Sequence, residues 1–346
     1  MTNVVPPTEA VILEEVGAET PRSTPALRFF LTKLGGAAIS LVMVILLGFF
    51  AFKILPGDPV AAIARQRPMS SEQLDQLREQ MGLNKPLFQQ FVDYLVNVFT
   101  LNFGVSYVYK TSVSELIAQY FWPTILLTGT SAILSIALGL WLGQKAGWRP
   151  GSHFDRTASA TALVFWSVPT FWLGLLLLMV FGGTLHWFPT GGMTSPDPPP
   201  DFLGQVLDVV SHMVLPVTTM VAVVYAQYLM VMRASLMEEK SADYLTTSRA
   251  KGLRDDLVRR RHAVPNALLP TVTLVFLHLG GLIAGAVTVE TVFSWPGLGK
   301  LTYEAINGPD LPLLQGTFVV FSAIIIAMNL VADFVYRQLD PRVRRG

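Results

Sequence analysis

The chain has 346 residues, 51% of them hydrophobic and only 14% charged, with a formal net charge of +1 and no cysteine; its mean hydropathy is +0.48. A soluble globular protein carries roughly a quarter charged residues, so about half of that charge is missing. This excludes a water-soluble enzyme, a charged disordered protein, a global field that recruits nucleic acid, a disulfide framework and cysteine-based chemistry.

Residues 1–26 are rich in Pro, Thr and Glu without an apolar period, which predicts a disordered cytoplasmic tail ahead of a membrane domain over 27–346. Six windows then hold no Asp, Glu, Lys or Arg: 34–52, 116–144, 157–196, 209–232, 263–289 and 311–332. Each reaches the roughly 18–20 apolar residues that cross a hydrocarbon core as a helix. Pro and Gly signals trim them to spans near 34–55, 121–144, 158–183, 213–235, 267–291 and 312–336. The expected fold class is an all-α integral membrane helical bundle of six transmembrane helices. Buried helices of a large soluble core would carry charged faces at every third or fourth residue, and these windows carry none. The first span is not a signal peptide, because its apolar run comes late and no small-residue cleavage pattern follows it.

Six crossings leave both termini on one side. With the N-terminus inside, 18 of the 25 Lys and Arg fall on cytoplasmic segments and 6 on external ones, Lys53 sitting at a span end. That bias fits the positive-inside rule and makes both termini cytoplasmic.

The external loop 56–120 is patterned. Ser70 and Gln73 have capping-box spacing, Leu74, Leu77 and Met81 follow at helical intervals, and Gly82 stops the run. A second helix starts at Asn84 and Pro86, with Leu87, Phe91, Leu95 and Val98 on one face. Such pieces lie on the membrane surface, cap the bundle or dock a partner. The second external loop contains Ser195-Pro196-Asp197-Pro198-Pro199-Pro200-Asp201, a stiff irregular stretch without evident chemistry. In the third, Phe293-Ser294-Trp295-Pro296-Gly297-Leu298-Gly299, Trp295 fits either an interfacial anchor or a gate.

The cytoplasmic loop 237–268 holds a short helix over 243–251, with Asp243 as its cap, Tyr244 and Thr247 facing one way, and Gly252 as its stop. Asp255, Asp256, Arg259-Arg260-Arg261, His262 and Ala263-Val264-Pro265-Asn266-Ala267 follow. A helix of two or three turns across the mouth of a bundle is a lever another protein can push. The arginine run fits topogenic charge and anionic headgroup contact as well. Without interleaved aromatics it does not read as a nucleic-acid site.

Ion-driven transporters place ionisable groups at mid-membrane. Here charge lies only near span ends, at Lys53, Arg233, Glu290 and Asp333, and His278 is the one titratable group deep in a span. A lone intramembrane His serves as a hydrogen-bonding group in the bundle or as a proton relay. The chain has no phosphate loop, no paired metal-ligand His motif and no nucleophile elbow. A passive pathway powered from outside itself fits best, and no cofactor or metal is expected on this chain. Trp166, Tyr225, Gln227 and His278 are candidates for the pathway lining, and ordinary interhelical packing explains each equally.

Asp243-Tyr244-Leu245-Thr246-Thr247-Ser248-Arg249-Ala250-Lys251-Gly252-Leu253, followed by His262, Pro265-Asn266-Ala267 and Pro270, resembles the cytoplasmic signature loop of ABC-importer permeases, most closely the peptide subfamily. Further matches are Leu55-Pro56-Gly57-Asp58-Pro59, Gly82-Leu83-Asn84-Lys85-Pro86-Leu87, Pro169-Thr170-Phe171-Trp172, and Glu290 through Phe293 with Pro296-Gly297-Leu298-Gly299. Thr246, Thr247 and Ser248 depart from the family-wide Glu-Ala-Ala. The resemblance implies a half-pore in a prokaryotic cytoplasmic membrane that imports di- or oligopeptides, or nickel, haem or glutathione. It also implies a homologous second permease, two ATPase subunits carrying ATP and Mg, and an external substrate-binding protein. The helix around Asp243, Tyr244, Thr247, Ser248, Arg249, Ala250, Lys251, Gly252 and Leu253 would be the coupling helix seated in an ATPase groove.

Overall fold

The computed structural model describes residues 26–54, 60, 64, 70–80 and 82–339, without the side chains of some helical residues, among them 273–274, 276–280 and 282–284. The tail before residue 26 and the Leu55-Pro56-Gly57-Asp58-Pro59 motif lie outside this description. Twelve helices follow one another among the described residues. They are α1 (Ala26–Ile54), α2 (Ser71–Gln80), α3 (Leu87–Phe99), α4 (Val113–Trp148), α5 (His153–Ser167) and α6 (Thr170–Leu177, continued by π-turns Leu178–Thr184). After them come α7 (Phe202–Glu239), α8 (Asp243–Ala250), α9 (Asp255–Val258, continued by π-turns Arg259–Ala263), α10 (Val264–Val292), α11 (Leu298–Asn307) and α12 (Leu311–Leu339).

Among the described residues, four segments are long and apolar enough to cross a membrane alone: Arg28–Phe52, Val113–Trp148, Phe202–Glu239 and Leu311–Val335. The fifth sequence window falls on α10, 29 residues long. The third is not one straight helix. α5 and α6, which together match it, are bent by 99°. Val168 sits in extended conformation (ψ 129°) immediately before Pro169, the geometry a following proline imposes on its neighbour, and the helical ladder stops there. Pro123, Pro216 and Pro270 lie inside α4, α7 and α10 without ending them.

In the first loop the capping box forms as the spacing predicts. Ser70 N–H donates to Gln73 Oε1 at 3.0 Å and Gln73 N–H to Ser70 Oγ at 3.3 Å. α3 turns Tyr94 and Val98 onto Ile45 and Phe49 of α1 and Val319 of α12, leaving Phe88, Val92, Val96 and Phe99 exposed.

The closest pair of helices is α4 and α7. Buried Ser131, Ser135, Gly139, Gly143 and Gly147 recur every fourth residue along α4, so one narrow face lets the two backbones meet. A Cβ on Gly143 would lie 2.7 Å from the Leu229 carbonyl oxygen, and one on Gly147 2.8 Å from that of Arg233. Backbone cannot yield as a side-chain end does. Gly143→Val is expected to cost about 3 kcal/mol by overpacking and to lower the thermal midpoint of the purified chain. An unchanged midpoint would show that the two helices separate freely.

Candidate functional site

The loop between α7 and α10 builds a small rooted helix. α8 begins after Ala242 in extended conformation with no side-chain cap. Asp243 is therefore not the cap its position suggested. It occupies the first turn, where a carboxylate opposes the positive end of the helix. Gly252, at φ +80°, ends the helix. Its N–H donates to the Arg249 carbonyl at 2.9 Å and the Leu253 N–H to that of Ser248 at 3.4 Å, a paired closure that needs the left-handed residue between.

Leu245 roots α8. It is fully buried among Trp148 at the end of α4, Met232 and Leu236 of α7, Val258 of α9 and Ala263 and Ala267 beside and within α10. Polar contacts surround that root. The Tyr244 hydroxyl donates to Glu239 and accepts from Asn266 Nδ2 at 2.8 Å, joining α8 to α7 and α10. Partial burial, and secondarily the bond to Glu239, raise the Tyr244 pKa, so the phenol remains a donor at neutral pH. Trp148 Nε1 donates to Asp255 at 2.9 Å, Arg249 pairs with Asp255 at 3.3 Å, and Lys240 Nζ donates to the Trp148 carbonyl at 2.9 Å. Nearby, Arg233 of α7 grips the buried Asp155 of α5 through two nitrogens, at 2.5 and 2.9 Å.

Of the nine residues the sequence marked for contact, Asp243, Tyr244, Thr247, Arg249, Ala250, Lys251, Gly252 and Leu253 are exposed. Ser248 is not. It is buried, and its hydroxyl donates to the Tyr244 carbonyl at 2.8 Å. The sequence reading missed Leu245, whose signal was available: three residues before Ser248, it shares that residue's inner face.

The opposite end of the bundle is organised by Glu290, near the end of α10 and fully buried. Its carboxylate accepts from the Gly299 N–H at 2.7 Å, the Lys300 N–H at 3.0 Å and the Thr124 hydroxyl at 2.7 Å. The Leu298 N–H donates to Thr124 Oγ1 at 2.7 Å. Glu290 thus supplies from another helix the acceptor that an N-cap side chain would give α11. A Cβ on Gly297 would lie 2.2 Å from the Glu290 carboxyl carbon, so Pro296-Gly297-Leu298-Gly299 is a seat for this carboxylate. Trp295 is neither a lipid-facing anchor nor a free gate. It is buried, with its Nε1 donating to the Pro123 carbonyl at 2.9 Å.

The pathway candidates do not gather at one point. Trp166 is exposed on α5, Tyr225 is buried with Ala162, Ala226 and Leu229, and Gln227 is half-buried on α7. The His278 side chain lies outside the described residues. Among the described residues no three His, Asp or Glu side chains are placed to hold a metal ion.

A family model described as the binding-protein-dependent transport system inner membrane component matches residues 135–345, more than half of the chain. A companion model for the N-terminal part of the same components matches residues 26–128. The chain belongs to this family. Relatives include the dipeptide transport system permease protein DppB of Escherichia coli K12, 35% identical over 337 residues and spanning 92% of this chain and 99% of that protein. The glutathione transport system permease protein GsiC of Pectobacterium atrosepticum is 36% identical over 319 residues, with the same two coverages. A solved structure of the MetNI methionine ABC transporter in inward-facing conformations matches with TM-score 0.53 at 18% identity, over 65% of this chain and 97% of that chain, and supports the fold. The permease is therefore a multi-pass inner-membrane component of an importer and a transport subunit rather than an enzyme. Its family implies a substrate-binding protein and an ATPase as partners.

Proposed function

We propose that this permease forms half of a pore through which di- or oligopeptides enter the cell by alternating access, with α8 as the element that receives force from an ATPase. The observation carrying the proposal is a short helix closed at Gly252, rooted by Leu245 in the ends of the bundle helices, with Asp243, Thr247, Arg249, Ala250, Lys251 and Leu253 exposed. A stiff element whose two positions are biased by nucleotide is what such coupling requires. The assembly has a homologous second permease, two ATPase subunits holding ATP and Mg, and an external binding protein. Both termini and the loop 237–268 face the cytoplasm, loop 56–120 faces outward, and the permease domain begins at residue 27. Peptide cargo is supported by the dipeptide relatives. The glutathione relatives favour glutathione as a second cargo, itself a peptide.

The test is reconstitution into liposomes with and without the ATPase subunits, offering labelled dipeptides, tripeptides and glutathione. Uptake should need ATP and all partners. Transport by this chain alone down an ion gradient would overturn the proposal.

A further inference from the structure

We propose that the bundle end carrying α8 holds an anionic phospholipid, its phosphate seated between the α4–α5 turn and α9. This goes beyond the transport proposal and stands on the membrane fold alone. A pocket of about 530 Å³ opens there, with Lys145 and Arg149 on one wall and Arg259 on the other. The carboxylates lining it are engaged: Asp255 by Trp148 and Arg249, and Asp256 by Arg259 at 2.7 Å and Arg260 at 3.2 Å. Lys145 and Arg149 have no carboxylate partner among the described residues. Lys145 Nζ instead lies 3.8 Å from the centre of the Trp141 ring and 5.8 Å from that of Phe154.

What favours a lipid over an acidic protein side chain or a free anion is the approach to this pocket. Leu134 and Trp141 are exposed on α4, and with Lys145 they fall at spacings of seven and four, one face of the helix. That face forms an apolar track ending at two cations, with the exposed ring of Phe154 beside it. Acyl chain along the track and phosphate at its end satisfy both halves of the surface. Interfacial basic pockets between membrane helices recognise anionic headgroups in this way.

The test uses the full-length chain, delipidated and returned to vesicles of phosphatidylglycerol and phosphatidylcholine, with retained lipid read by native mass spectrometry. The wild type should keep phosphatidylglycerol in preference to phosphatidylcholine. Each cation near a membrane surface is worth about fivefold, so K145Q/R149Q should lower retention on the order of thirtyfold. The charge-conserving K145R/R149K should keep it, which separates lost charge from lost fold. Three results would overturn the proposal: equal retention by all forms, displacement of the lipid by inorganic phosphate, or its displacement by the ATPase subunit, which would assign the cations to a protein partner.

Discussion

Shortening Leu245 to alanine is expected to disconnect ATP hydrolysis from uptake. α8 spans eight residues, and isolated helices shorter than about 12 residues are marginal in water. Its position is held by its seat, and Leu245 is the side chain that fills that seat from within. Emptying such a site costs about 2–5 kcal/mol, spread over α8 and its neighbours rather than over the whole bundle. Membrane insertion and the α11 end should be unaffected. Uptake in the reconstituted assembly should fall by more than an order of magnitude, while the ATPase continues to turn over and ceases to respond to the loaded binding protein. The exposed Lys251→Ala, measured alongside, separates loss of the seat from loss of a surface contact. Normal uptake by Leu245→Ala would mean that a loosely held α8 still transmits force.

Glu290→Ala acts at the other end, and its main effect is on stability. It removes the acceptor for the Gly299 and Lys300 N–H groups and for the Thr124 hydroxyl. A buried donor left without a partner costs about 1–3 kcal/mol, so the whole loss is roughly 5 kcal/mol. The thermal midpoint of the purified chain should drop sharply, and α11 should become protease-sensitive. Both N–H groups share one carboxylate oxygen and the Thr124 hydroxyl takes the other, so Glu290→Gln can keep its amide oxygen on the N–H pair and turn its amide donor toward Thr124 Oγ1; it should recover much of the loss. Thr124→Ala should cost less, and the double variant less than the sum, because both act on one network. A Glu290→Ala midpoint equal to wild type would remove the carboxylate from its structural role.

Much of this was legible in the sequence, for identifiable reasons. Charge-free windows located the long helices because burying a charge in hydrocarbon is costly. The helices overrun those windows, as at Asp208 and Glu239 of α7, because that cost vanishes outside the membrane. The capping box at Ser70 and Gln73 and the stop at Gly252 were readable because each depends on local geometry. The break at Val168-Pro169 was not, since three other prolines sit inside continuous helices. Whether a proline ends a helix depends on the conformation its neighbour adopts, and packing decides that. The seat of Leu245, the burial of Trp295 and the pairing of Glu290 with α11 were equally hidden. Each depends on residues far apart in the chain, so the sequence named the parts without their partners.

The tight α4–α7 pair has a mechanical implication. Along α4, Thr124 touches the Glu290 network and Trp148 touches the root of α8. The helix rises about 36 Å from one to the other, stiffened by a neighbouring helix at backbone contact. Rocking this strut by about ten degrees around one end carries the other through about 6 Å. A small push at the base can thus appear as a large displacement at the far rim, with no hinge required between them.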